Sequence, residues 1–248
     1  MENKFLVQNK QYEFPYHYIP QFTENSYTMS RKMVWGGEYL AYQKFVINRI
    51  AKLDVKRILD VGCGDGRLCQ LLHQYNQAWE IKGIDLSEDA IKWAKAFNKD
   101  ISFETQDVAD EICQYDVVTA VEVIEHIPDE QLLSFFINIS KILKNEGSFI
   151  VTVPSVNIPV SKKHYRHYSI ELLRNQLEES GCGMEIVESE YIVPMMRKRD
   201  ELLRKLMLNR YWKLECYEKW EWDRLWKNGL ICDDKHGAHC FAVIRKRV

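Results

Sequence analysis

No apolar run in this chain approaches the ~18 residues that a helix needs to cross a bilayer. Residues 1–30 have neither the apolar segment nor the small-residue cleavage site of a secretory leader. Charge of one sign is missing too. The 34 basic and 36 acidic residues leave a formal net charge of −2, so no global cationic field holds nucleic acid or an anionic membrane. The seven cysteines are odd in number and scattered, which reads as reduced thiols in a cytoplasmic protein, not a disulfide framework. There is no internal repeat and no low-complexity linker. With 46% hydrophobic and 28% charged residues over 248 positions, the chain is an ordinary globular protein of about one and a half domains.

What is present is an alternation. Short β-branched runs at 57–61, 81–84, 101–105, 115–121 and 147–153 are separated by segments of helical period. Ser87 and Ser169 stand where helix caps belong. Further strands are expected near 184–193 and 238–245. Strand and helix in turn imply βαβ crossovers and a parallel sheet covered on both faces. Two stretches break the rhythm. Residues 1–54 carry many aromatics, then a segment from Glu38 to Ala51 that is expected to be helical; they are expected to form a cap on a main domain at 55–248. Residues 195–236 read as a helical, Trp-rich insertion whose first part, 197–213, holds seven basic and two acidic residues.

The strongest motif is Leu59-Asp-Val-Gly-Cys-Gly-Asp-Gly-Arg67, a glycine turn between a strand and a helix. Glycines there let the backbone turn tightly and a ligand approach closely. Asp85 ends the second strand about 20 residues on, where an acid bonds ribose hydroxyls. Asp107 follows the third strand, placed to accept from an adenine amine, and Glu122 follows the fourth. Each acid alone is an ordinary loop carboxylate. Together they line the carboxyl edge of consecutive strands, where open α/β sheets bind ligands.

In these residues the chain resembles the class I S-adenosylmethionine-dependent methyltransferases. The glycine motif, Asp85, Asp107-Val108 and Glu122-Val-Ile-Glu-His126 match that family's motifs in order across roughly 55–193. The resemblance implies a Rossmann-like, doubly wound, seven-stranded α/β sheet of order 3-2-1-4-5-7-6. Its last strand is antiparallel, and an N-terminal helix covers the S-adenosylmethionine. It implies that Asp60, Gly62, Cys63, Gly64 and Gly66 form the loop at the methionine portion. Asp85 would bind the ribose, Leu86 would flank the adenine, Asp107 with Val108 would bind its edge, and Glu122 would stand near the sulfonium. Trp35 and Tyr27, just before the covering helix, offer aromatic faces to that cation.

The expected activity is methyl transfer to a small or medium-sized acceptor, on a hydroxyl oxygen. His126, His164 and His167 are the candidate bases, since an imidazole suits proton transfer near neutral pH. Each also has a plainer reading as a residue that holds its loop. No resident metal is expected. Still, Glu122, Glu125, His126 and His167 resemble the metal site of small-RNA 2′-O-methyltransferases, and a non-catalytic nucleoside-binding module is a third possibility. Cys232, His236, His239 and Cys240 faintly suggest zinc, with spacing that fits no common site. A small-molecule acceptor is the expected partner, nucleic acid is not, and a homodimer is possible.

Overall fold

The computed structural model describes residues 4–9, 21–23, 26–28, 36–208 and 214–247. A short helix α1 (Lys4–Asn9) and a ribbon of β1 (Gln21–Thr23) and β2 (Ser26–Thr28) precede α2 (Gly36–Ile50). The alternating region follows: β3 (Arg57–Val61), α3 (Arg67–Tyr75), β4 (Glu80–Asp85), α4 (Glu88–Phe97), β5 (Ser102–Thr105) and β6 (Tyr115–Val121). Next come α5 (Asp129–Ile142), β7 (Leu143–Pro154), α6 (Ile170–Ser180) and β8 (Met184–Pro194). The insertion consists of α7 (Lys198–Met207), α8 (Glu215–Trp226) and β9 (Ile231–Cys232), before the final strand β10 (Gly237–Lys246).

Local chemistry sets these boundaries. The Ser87 hydroxyl accepts from the Ala90 amide at 3.2 Å and the Ser169 hydroxyl from Leu172 at 3.1 Å, so both expected caps start their helices. Gly181 ends α6 at φ 61°, a left-handed position where glycine carries no Cβ penalty.

The main sheet runs β5-β4-β3-β6-β7-β10-β8-β9. β3 to β7 pair in parallel, and β10 is antiparallel to both β7 and β8. The order is the expected one, but the sheet has eight strands, not seven. β9 adds two residues at the edge, Cys232 opposite Tyr191 and Ile231 opposite Ile192, too few for any periodicity to announce.

Two apolar layers cover the sheet. α2, α3 and α4 close one face, with Phe45, Val46, Leu72 and Ile91 packed on Ile58 and Phe241. α5 and α6 close the other, with Phe136, Ile139 and Leu173 packed on Leu59, Val118 and Ala242. The alternation along β10, Phe241 to one side and Ala242 to the other, is the period-two rule at work. Full burial of a side chain such as Phe241 contributes about 1.5–3 kcal/mol.

One topological point positions the site. The parallel strands end at a common edge, and β10, running the other way, begins there. His239 at its start lies opposite Pro154 at the end of β7.

Candidate active site

The glycine turn leaves β3 with Gly62 at φ 68°, Gly64 at 55° and Gly66 at 77°. At two of them close approach adds to the backbone demand. A Cβ on Gly62 would stand 2.6 Å from Val123 Cγ2, and one on Gly66 would stand 2.7 Å from Phe103 Cζ. The loop is fastened from the next strand. Asp85 Oδ2 accepts from the Gly64 amide at 2.9 Å, and Oδ1 accepts from the Ser87 amide at 2.8 Å. Burial pushes this carboxyl up from its ordinary value, against those two bonds. Asp85 thus braces the loop as well as facing the cavity.

Asp60 is buried under the turn. Its Oδ1 accepts from Thr119 Oγ1 at 2.7 Å and Oδ2 from Cys69 Sγ at 3.5 Å. Burial raises its pKa to about 7, so a cationic ligand group nearby would favour its ionised form. Along the same wall Asp107 caps a short turn by accepting from the Ala109 amide at 2.8 Å. Leu86 is 58% exposed, an apolar surface at the cavity, while Val108 is buried. Cys63 is buried and its amide donates to the Ile84 carbonyl at 3.0 Å. These groups line one cavity of about 1120 Å³. Pockets for one drug-sized ligand span roughly 300–1,000 Å³, so this one has room for donor and acceptor together.

The cavity is also lined by carboxylates and imidazoles. Glu122 leaves β6 at φ 59°, a left-handed conformation strained for any residue but glycine. Its Oε1 accepts from Thr152 Oγ1 and from His239 Nδ1, each at 3.0 Å. His239 and Thr152 hold this carboxyl below its ordinary value despite burial. Glu125, fully buried, has no hydrogen-bond partner on either carboxyl oxygen among the described residues. Burial and the Glu122 charge push it well up.

The histidines form a chain whose tautomers can be deduced. His167 Nδ1 lies 3.0 Å from the Ile158 carbonyl, an acceptor only, so it carries the proton and leaves Nε2 bare. His164 Nδ1 therefore donates to that Nε2 at 2.9 Å, leaving its own Nε2 bare. His126 Nδ1 likewise donates to the Lys163 carbonyl at 3.1 Å, and its Nε2 stands 3.6 Å from Glu125 Oε1. Burial lowers the pKa of His126 to about 4 and of His164 to about 3. His126 and His164 line the cavity. His167 is buried, has both ring nitrogens engaged and is not among the residues lining the cavity; it holds His164.

Of the expected site residues, those of the glycine turn, Asp85, Leu86, Asp107, Val108, Glu122, His126 and His164 converge on this cavity, Gly66 standing just behind the turn. Trp35 lies outside the described residues, as does the side chain of Tyr27. The suggested zinc group does not converge. His236 bonds Asp233, His239 bonds Glu122, and Cys240 Sγ donates to the Tyr168 carbonyl. All seven cysteines are unpaired. The basic strip is partly neutralised, with Arg204 on Glu38 at 2.8 Å and Lys205 on Glu201 at 2.6 Å. Thr119 and Tyr42 were not anticipated as site residues, and His239 was named only with the suggested zinc group, although an antiparallel last strand places its first residues at the ligand edge.

This sheet order, with a glycine turn and acids in series on its carboxyl edge, defines a nucleoside-cofactor enzyme of the Rossmann-like class. The profile of the methyltransferase-domain family matches residues 38–215, well over half of the chain, and the protein belongs to that family of S-adenosylmethionine-dependent enzymes. Ubiquinone biosynthesis O-methyltransferase of Neisseria meningitidis serogroup C is 41% identical over 88 residues, 32% of this chain and 37% of that protein. The Leptothrix cholodnii enzyme of the same name is 32% identical over 124 residues, 42% and 52% of the two chains. The chain thus spans about a third to a half of these relatives. Magnesium protoporphyrin IX methyltransferase from Synechocystis, solved with S-adenosylmethionine, superposes with TM-score 0.59 at 16% identity, covering 99% of this chain and 98% of that one.

The family's cofactor is S-adenosylmethionine, and the residues present fit it. Asp85, Leu86, Asp107, Val108 and Asp60 all line the cavity; its carboxylates could answer ribose hydroxyls, an adenine amine and an ammonium group, and Leu86 and Val108 add apolar surface. When bound, that cofactor supplies an activated methyl group.

Proposed function

We propose that this protein transfers the methyl group of S-adenosylmethionine to a hydroxyl oxygen of a small or medium-sized acceptor. The observation that carries the reading is the cavity itself: its glycine turn suits the donor, and Glu122, His126, His164 and His239 line the same space. The methyl donor comes activated, so the protein's part is alignment, exclusion of water and removal of one proton. Ile127, Phe135 and Ile158 add apolar surface for an acceptor to the lining. The relatives named for ubiquinone biosynthesis support oxygen as the target. The balanced charge argues against a polyanionic acceptor, and the unpaired cysteines suit a reducing compartment. No helix among the described residues is long and apolar enough to cross a membrane. The test is release of S-adenosylhomocysteine in the presence of phenolic and aliphatic alcohols. A non-catalytic binding module would bind the nucleoside and release none with any acceptor.

A second reading has its own support. Glu125, His126 and His164 offer ligand atoms within 4.8 Å of one another: an unpartnered buried carboxylate and two bare imidazole nitrogens. That donor set suits a divalent transition metal, and each ring is already oriented by its second nitrogen. Glu122, by contrast, is taken up by His239 and Thr152 and stands apart from the set. Titration of the protein with Mn²⁺ and Zn²⁺ tests it, with Glu125→Gln as the comparison. Chelation that removes turnover, restored by one of these ions, would favour metal-assisted transfer.

A further inference from the structure

The imidazole best placed to take a proton is one the sequence offered only as part of a zinc grouping that does not converge. His239 lies 117 positions from Glu122 in sequence, yet its Nδ1 is 3.0 Å from Glu122 Oε1. Because the carboxylate can only accept, Nδ1 carries a proton and Nε2 is left for the cavity that His239 lines. The Tyr42 ring, 5.1 Å away, supports the imidazole from α2. Thr152 fixes the other side of the pair by donating to the same Glu122 oxygen. A carboxylate, an imidazole held by it, and an open reaction cavity are the parts of a general-base unit.

We propose that Glu122 and His239 form a carboxylate–imidazole dyad in which His239 Nε2 takes the proton of the acceptor hydroxyl and Glu122 positions the ring. The proposal deepens the O-methylation reading and rests on it. In the step, the acceptor O–H bond breaks and its proton passes to His239. The oxygen's electron pair forms the new O–C bond, and the C–S bond breaks with its electrons left on sulfur as the thioether. The imidazolium then returns its proton to solvent.

Among the described residues, both charged groups that act on the ring agree. Glu122 after β6 and Glu38 on α2 both favour the protonated ring and raise its pKa, in opposition to burial. Glu38 is itself held by Arg204 of α7 at 2.8 Å. The β7 and β8 residues opposite His239 are Pro154 and Ile192, which bring no charge. His126 Nδ1 is spent on the Lys163 carbonyl and His164 Nδ1 on His167, so among these cavity-lining rings it is His239 whose Nδ1 bonds a carboxylate.

The test compares wild type with His239→Asn and Glu122→Gln. Asparagine keeps an N–H for Glu122 but has no base. Three readouts are needed: calorimetric binding of S-adenosylhomocysteine, turnover of catechol and of 2-phenylethanol across pH, and the imidazole titration of His239 by NMR. We expect His239→Asn to bind the nucleoside as wild type does while kcat falls on the order of 100- to 10,000-fold. In Glu122→Gln the imidazole titration and the acid limb of kcat/KM should shift together to lower pH, which a merely structural role would not produce. Wild-type kcat in His239→Asn overturns the dyad and leaves O-methylation standing. If the wild type binds the nucleoside but methylates neither alcohol, the NMR arm decides. An imidazole titrating at or below the ordinary value, or unmoved by Glu122→Gln, then overturns the dyad.

Discussion

Replacing Asp85 by alanine separates two roles that a sequence motif merges. The carboxylate accepts from two amides, Gly64 at 2.9 Å and Ser87 at 2.8 Å. Hydrogen bonds to a charged group are worth about 1.5–3 kcal/mol each, so the gross loss is about 3–6 kcal/mol. Part of that is offset because the buried carboxylate was itself held at a cost, as its raised pKa shows. A net loss of about 2–4 kcal/mol remains, which for a chain of this length lowers Tm by roughly 5–15 °C. Binding of S-adenosylhomocysteine should weaken as well, by more than the ribose bonds alone, since the Gly62–Gly66 turn is loosened. Thermal unfolding with and without the nucleoside, joined to amide exchange at Gly64, makes the measurement. If Asp85→Ala unfolds within about 0.5 kcal/mol of wild type and Gly64 exchange is unchanged, the bracing argument is wrong.

Other outcomes follow from the same geometry. Gly62→Ala places a Cβ 2.6 Å from Val123 Cγ2 at φ 68°; it should lower stability by about 2 kcal/mol or more and weaken nucleoside binding at least about tenfold. Adding Val123→Ala should relieve the clash and leave the backbone strain, so urea titration of the double variant should show partial recovery. Asp60, raised to about 7 from 3.8, favours folding while it is protonated in the native state. That contribution is fully present below the unfolded value and is lost as pH rises through about 7. Asp60→Asn should therefore gain on wild type between pH 4 and 7, by on the order of 4 kcal/mol, in urea midpoints of the free protein. Wild type should release protons on binding S-adenosylhomocysteine near pH 7, seen as buffer-dependent calorimetric heats, and Asp60→Asn should not. Phe241→Ala should cost about 3–5 kcal/mol, because its fully buried ring also loses the edge contact with Phe45 at 5.0 Å.

The glycine turn and the acids that share its cavity were legible because they are local in sequence. The glycine turn is contiguous, and Asp85, Asp107 and Glu122 each follow directly on a β-branched run that names its own strand. The pairing of Glu122 with His239 was not, because it is assembled from distant segments. Nothing near Glu122 in sequence points to His239, and the two meet only when β10 inserts beside β7. Choosing between His164 and His167 needed the Ile158 carbonyl, which decides which ring is tied back. Asp60 looked like a ligand-facing acid, and only burial beside Thr119 and Cys69 revealed a carboxyl that titrates near neutrality. The fold was read almost in full, save for β9, whose two residues are held by Tyr191 and Ile192 and not by any pattern of their own.

The central claim is that the turn at 60–66 and the acids at 85 and 107 hold one adenosyl group. A crystal structure with S-adenosylhomocysteine tests it most directly. The ribose hydroxyls should lie on Asp85, the adenine between Leu86 and Val108 with its amine toward Asp107, and the sulfur facing Glu122 and His126. Density for the nucleoside elsewhere on the molecule, or none at saturating concentration, would contradict it.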